Sequence, residues 1–299
     1  MNISHRSLWN SALGAWVAVS EATRGRGKRS GGGSAVLAGA ALLLIGSVPS
    51  LGFAQTTWNK TTASAWATPG NWTNGAPGTT TAVTVSQGTA QITAATTNTT
   101  IGSLAGGTGG KITIVSGKSL TTGGNDSSTS FGGIISGAGG LTKQGTGTQT
   151  LTGANAYTGV TTITAGTLQV GAGAATGTLG AGGVVNNAKL AFNRTGTLTI
   201  ANAISGSGSV QQLGTGTTVL TGTNTYTGVT TITAGTLQVG AGAATGTLGA
   251  GGVVNNAKLA FNRTGTLTIA NAISGSGSVQ QLGTGTTVLT GTNTYTGVT

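Results

Sequence analysis

Residues 208–239 read GSVQQLGTGTTVLTGTNTYTGVTTITAGTLQV. The stretch is made of short β-branched and apolar runs separated by Gly, Thr and Asn. Related segments show the same alternation more plainly, with Leu168 and Val170, Leu190 and Phe192, and Leu198 and Ile200 each two residues apart. A period of two is that of a strand with one face buried. Thr fills many positions between, being β-branched and tolerant of water. Gly180–Gly183 and Asn186-Asn187 supply turn residues able to take positive φ.

Working outward, the stretch belongs to a repeat. Tyr157, Tyr226 and Tyr295 are 69 residues apart, and residues 157–225 and 226–294 are identical throughout. A weaker copy runs backward: Ile135-Ser136-Gly137 matches Ile204-Ser205-Gly206, and Leu151-Thr152-Gly153 matches Leu220-Thr221-Gly222. A fixed long period means stacked supersecondary units. Two-residue hairpins are not favoured, because Asn-Gly occurs only at Asn74-Gly75. The reading is therefore an all-β solenoid of parallel strands. With about 23 residues to a coil, each 69-residue unit makes three coils. Three coils per unit would bring Tyr157, Tyr226 and Tyr295 into one ladder on one face. A single coil cannot bury enough to fold alone, so stacking is obligatory.

The repeat resembles the autotransporter-associated β-strand repeat, also called the passenger-associated transport repeat. The matching residues are Gly214 and Gly216, Leu220 to Gly228, Thr231-Ile232-Thr233 and Gly235-Thr236-Leu237. The motif recurs at 139–170, where Ala156 stands in place of Thr225, and at 277–299, where it stops midway. The resemblance implies a right-handed parallel β-helix in the passenger of an autotransporter, with the repeats aiding passenger transport and folding. Such proteins end in an outer-membrane β-barrel. This sequence ends at Thr299 inside a motif, so the expectation is a fragment of a longer protein.

The N-terminus reads as an address. AVLAGAALLLIG at 35–46 is an apolar run preceded by Arg24, Arg26, Lys28 and Arg29 and followed by Pro49 and Gly52-Phe53-Ala54. That is the order of a secretory signal, with cleavage expected after Ala54. The run is short for a transmembrane helix. The segment before it carries Arg6, Trp9-Asn10, Trp16-Val17-Ala18-Val19-Ser20-Glu21 and then Arg24 to Lys28. This resembles the extended signal-peptide region of type V secretion proteins. The resemblance implies a Gram-negative source, export through the periplasm, and two partners, the export machinery and an outer-membrane β-barrel translocator. The expected organisation is a signal at 1–54, an N-terminal passenger segment at 55–130, and a repeat β-helix at 131–299.

Chemistry-bearing residues are scarce. After residue 55 there is no His, Cys or Glu and a single Asp, Asp126. Acid–base catalysis, metal ligation and an activated Ser each need side chains of those types. No catalytic, cofactor-binding or metal residue is assigned, and a non-enzyme is expected. Lys143 reads as a surface lysine. Gly106–Lys111 lacks two residues of a phosphate loop, having Ala105 and Ile112 where that motif needs Gly and Ser or Thr. Gly123-Gly124-Asn125-Asp126 is too short for a calcium repeat. The net charge of +11 divides into +4 over residues 1–55 and +7 scattered over the rest. Without a basic stripe, nucleic acid is not an expected partner. Absence of Cys fits an exported chain that folds late.

Trp58, Trp66 and Trp72 cluster at the start of the mature chain. They suit a hydrophobic cover over the first coil, which solenoid ends require, or sugar-stacking platforms of an adhesin. The functional expectation is a passenger acting through its surface, adhesin-like or structural, touching a host surface or another copy, with no small-molecule substrate. The alternatives are the stalk of an enzyme whose catalytic part lies elsewhere, and a fibre or biofilm protein.

Overall fold

The computed structural model describes the backbone of residues 5–10 and 15–20 and the whole of residues 54–299. The chain forms two compact units, residues 1–50 and 51–299. In the first, His5–Asn10 and Ala15–Ser20 pair antiparallel, Arg6 opposite Val19 and Trp9 opposite Trp16. Glu21 and the apolar run 35–46 lie outside the described residues. Among the described residues no helix is long and apolar enough to cross a membrane.

The second unit is a β-solenoid of about ten turns, interrupted by one short 3-10 helix at Pro69–Asn71. Its ladders are parallel, each strand pairing with one about twenty residues ahead. Each turn visits three faces in the same order. The first face includes Thr148–Leu151, Thr167–Val170, Lys189–Phe192, Ser209–Gln212 and Thr230–Ile232. The second includes Lys111–Ile114 and Ile134–Ser136 and, further along, Thr197–Ile200, Thr217–Leu220 and Lys258–Arg263. The third includes Gly140–Lys143, Thr161–Ile163 and Val184–Asn186, and later Thr266–Ile269 and Thr286–Leu289. Where a face lacks regular strands the coils still touch. Ala156 N–H donates to Ile135 O at 2.8 Å, and Ala181 N–H to Tyr157 O at 2.8 Å.

Coil length departs from the 23-residue expectation. On the first face Leu151 pairs with Val170, Val170 with Phe192, Phe192 with Gln212 and Gln212 with Ile232, steps of 19, 22, 20 and 20 residues. Three short strands and three tight corners close a turn in about twenty residues. Within the repeats, the longer turns are those that include the excursion at 171–183 and its copy. One 69-residue repeat therefore winds three coils and about a third of another. Identical strands accordingly land on different faces: Thr148–Leu151 has its counterpart Thr217–Leu220 on the second face and Thr286–Leu289 on the third.

The tyrosine ladder is corrected by the same fact. Tyr157 sits on the second face, beside Ile135 and Ala181; Tyr226 sits on the third, beside Ile204 and Ala250. Tyr295 sits on the first, its N–H donating to Ile273 O at 3.2 Å. Each works alone. Tyr157 and Tyr226 are fully buried, and their hydroxyls lie 2.7 Å from Thr161 Oγ1 and Thr230 Oγ1.

The interior is built of inward columns in register. Leu168, Leu190 and Val210 stack, as do Phe131, Leu151, Val170 and Phe192. Leu220, Ile232 and Leu237 are all fully buried. Corners must pass within van der Waals reach of the coil below, which sets a steric demand for Gly. A Cβ on Gly228 would lie 2.3 Å from Gly208 O and 2.4 Å from Gly208 C. Replacing Gly228 with Ala is expected to cost on the order of 2–3 kcal/mol by overpacking against rigid backbone. The neighbouring exposed Thr227→Ala should change stability by less than about 0.5 kcal/mol. Urea unfolding of the two variants checks the contrast.

Candidate functional site

The first turns of the stack close over three indole rings. Trp58, Trp66 and Trp72 are 1–3% exposed. Trp72 meets Trp58 edge-on at a centroid distance of 4.9 Å and Trp66 at 4.8 Å, the geometry that the ring quadrupole favours. Trp72 Nε1 donates to Trp66 O at 2.7 Å. Backbone bonds tie the cluster to the next coil, from Trp58 N to Thr84 O at 2.9 Å and from Trp66 N to Gln91 O at 2.7 Å. No ring face meets solvent, so the sugar-stacking expectation finds no exposed platform here. A sugar must lie flat against an indole, and these indoles lie against each other. Of the signal residues, Arg6, Trp9, Asn10, Trp16, Val17 and Ser20 fall on the antiparallel pair of the first unit. Ala54, the residue before the expected cut, immediately precedes the first strand of the solenoid, Gln55–Thr57.

Lys143 is the residue that sequence reasoning misplaced. It is 1% exposed and points inward from Gly140–Lys143. Its Nζ donates to Gln144 O at 2.6 Å, Gly145 O at 2.8 Å and Ala165 O at 3.3 Å. The ammonium thus gathers carbonyls of a corner and of the next coil, groups that burial would otherwise leave unpaired. Sixty-nine residues on, Gln212 does the same work. Its Nε2 donates to Gly214 O at 2.8 Å and Gly216 O at 3.2 Å, and its Oε1 accepts from Thr218 Oγ1 at 2.7 Å. Position supplied a signal: in Leu141-Thr142-Lys143 the lysine falls two residues after an inward Leu, in phase with it. Lys143 is committed to backbone carbonyls.

Burial pulls the Lys143 pKa below the usual lysine value, against the opposing pull of Asp126. Asp126 itself accepts from Thr146 N at 2.6 Å and holds a positive φ of 58°. It belongs to a corner of the stack. Gly106–Lys111 leads as a turn into the strand Lys111–Ile114.

The outer surface is polar and nearly uncharged. Thr100, Thr121, Thr142 and Thr162 stand in register along the third face. The excursion at 171–183 and its copy at 240–252 project from the stack, and one arginine clasps each. Arg194 Nη1 donates to Gly177 O at 2.6 Å and Nη2 to Ala175 O. Arg263 repeats this with Gly246 O and Ala244 O. Beside the first excursion lies an open groove of about 430 Å³, lined by Asn155, Leu179, Leu198, Ile200 and Asn202. Among the described residues no three His, Cys, Asp or Glu side chains come together. The arrangement offers extended hydroxyl- and amide-bearing surface, and the residues singled out above serve to hold it.

Two substitutions separate the roles of charge and hydrogen bonding at Lys143. Lys143→Gln should be tolerated within about 1 kcal/mol, since Gln occupies the same repeat position at 212. Lys143→Leu leaves buried carbonyls unpaired and should cost on the order of 3 kcal/mol. A lysine whose folded pKa is lowered favours folding more as pH rises toward its ordinary value. Denaturant unfolding between neutral pH and pH near 10 should therefore show the native chain gaining stability relative to Lys143→Gln.

Comparison with known proteins agrees with these features. Residues 1–50 match the extended signal peptide of the type V secretion system. Residues 141–170, 210–239 and 279–299 match the passenger-associated transport repeat. Over 54 residues the chain is 52% identical to the Adhesin BmaC autotransporter of Brucella suis biovar 1 (strain 1330). That alignment covers 18% of this chain and 2% of the relative. No solved structure matches. The chain thus carries a signal similar to that of the type V secretion system ahead of a solenoid of passenger-associated repeats, a combination that supports export to the cell surface or extracellular space of a Gram-negative bacterium.

Proposed function

We propose that the chain is the stalk of an adhesin-like passenger. It is cleaved after Ala54, passed through an outer-membrane β-barrel translocator, and acts by extended surface contact without chemistry of its own. The observation that carries this reading is the stack itself. Its buried columns repeat from coil to coil, while its outward positions are Thr, Ser, Gln and Gly with few charges. Such a surface suits many weak contacts spread along a length. The name of the adhesin relative points the same way, for the small share of it that aligns. The division into a signal at 1–54, a tryptophan-covered segment at 55–130 and the repeat stack from 131 belongs to the same proposal.

Sequence chemistry also supports a part in export. A chain with no Cys and one Asp after residue 55 meets little electrostatic or covalent obstacle when threading a narrow pore unfolded. Once outside, a folded coil offers the next a ready edge. Stepwise folding then opposes backsliding.

Two results would test this. Mass spectrometry of the exported chain should find Gln55 at its N-terminus; a different N-terminus would move the boundary. Replacing Leu220, Ile232 and Leu237 together with Asp buries three charges in adjacent coils, each at a cost of several kcal/mol. Antibody labelling of intact cells should fall sharply for that variant. Undiminished display would remove the folding role, and undiminished adhesion of cells lacking the passenger would remove the adhesive one.

A further inference from the structure

We infer that the 69-residue repeat is an angular spacer as well as an axial one. Each further copy presents the same surface about a third of a turn further round the stack. The inference follows from the mismatch between two lengths, the repeat of 69 residues and a coil within it of 19–23. Strands and their counterparts one repeat on obey it. Gly140–Lys143 lies on the third face, its counterpart Ser209–Gln212 on the first and Ser278–Gln281 on the second. Thr197–Ile200 lies on the second and Thr266–Ile269 on the third. Thr161–Ile163 lies on the third and Thr230–Ile232 on the first.

The same sequence must therefore be acceptable on all three faces. The contacts repeat with it. Arg194 and Arg263 clasp their excursions through equivalent carbonyls. Asn155, Asn224 and Asn293 accept from the backbone N–H of Ile135, Ile204 and Ile273 at 2.9, 2.9 and 3.0 Å. The fold gives the repeat no face-specific partner.

The consequence concerns what a binding partner meets. Val160 and Val229, equivalent and 50% and 44% exposed, open onto different faces. Neighbouring repeats cannot combine their patches into one strip, so a partner docking from one side engages one repeat at a time. Three repeats in succession show the patch to every side. Gain or loss of one copy turns everything beyond it by a third of a turn, and gain or loss of three restores the direction. Because the copies are identical, recombination between them changes direction of display and length together. The inference concerns the solenoid alone and does not depend on an adhesive role.

The experiment is distance measurement between paired spin labels in the full chain, which has no native Cys. Labels at Thr142→Cys and Ser205→Cys form a ruler. Those residues are three ladder steps apart on one face, Thr142 to Thr162 to Val185 to Ser205, or about 14 Å along the stack. Labels at Val160→Cys and Val229→Cys are the test pair. Three coils to a repeat would place them at the ruler's distance. A third of a turn more adds a sideways displacement of about 20 Å across one face, giving a separation of about 25 Å. A test pair about 10 Å longer than the ruler supports the inference. A test pair equal to the ruler overturns it, and so does a broad test distribution beside a narrow ruler, since a spacer without fixed direction is no angular spacer. The four positions lie on the outside of the stack, so the ruler pair also reports whether the labelled chains have folded.

Discussion

Parallel pairing of each coil with the next is the constraint from which the rest of the molecule follows. A backbone N–H finds its acceptor about twenty residues away, so every turn must close in nearly the same number of residues. Two demands result. Corners must lie close to the coil beneath, which a Cβ at Gly228 or Gly159 would prevent. Inward side chains must suit the residue above and the residue below, as apolar meets apolar in Leu168 on Leu190 and Val170 on Phe192. A sheet buried on one side and wet on the other then needs only alternation to choose its face.

Corners create a second problem, because their carbonyls and amides turn inward without partners. The chain answers with long or amide-bearing side chains that reach from the interior. Lys143 and Gln212 donate to corner carbonyls. Asn186 donates to Ser209 O at 2.8 Å and accepts from Ala188 N at 3.3 Å, and Asn255 repeats both contacts. These residues are 0–1% exposed. Polar interior groups here complete the backbone's hydrogen bonding.

Much of this was legible in the sequence. Alternation at Leu168 and Val170 gave the strands, and the scarcity of Asn-Gly pairs argued for coils over hairpins. Coil length did not follow, because it is set by how far the chain travels around three faces, while the visible period was that of gene-level copies. Reading 69 as three coils therefore aligned the tyrosines wrongly. Lys143 was misplaced for another reason: charge suggested the surface, although its phase with Leu141 pointed inward. The tryptophans showed their cluster but not their burial, since a ring that covers a coil and a ring that stacks on a sugar have the same composition.

The direction of the hydrogen bonds between coils has a mechanical meaning. They run along the stack, so tension between its ends pulls them apart in line, and the load falls on the outermost coil first. Peeling one coil releases about twenty residues, which extend to about 70 Å in exchange for one ladder spacing of about 4.8 Å. A cell held by such a tether in flowing liquid would feel it yield in coil-sized steps, each absorbing work and leaving the remaining coils paired. The structure is stiff under small loads and lengthens by stages under large ones.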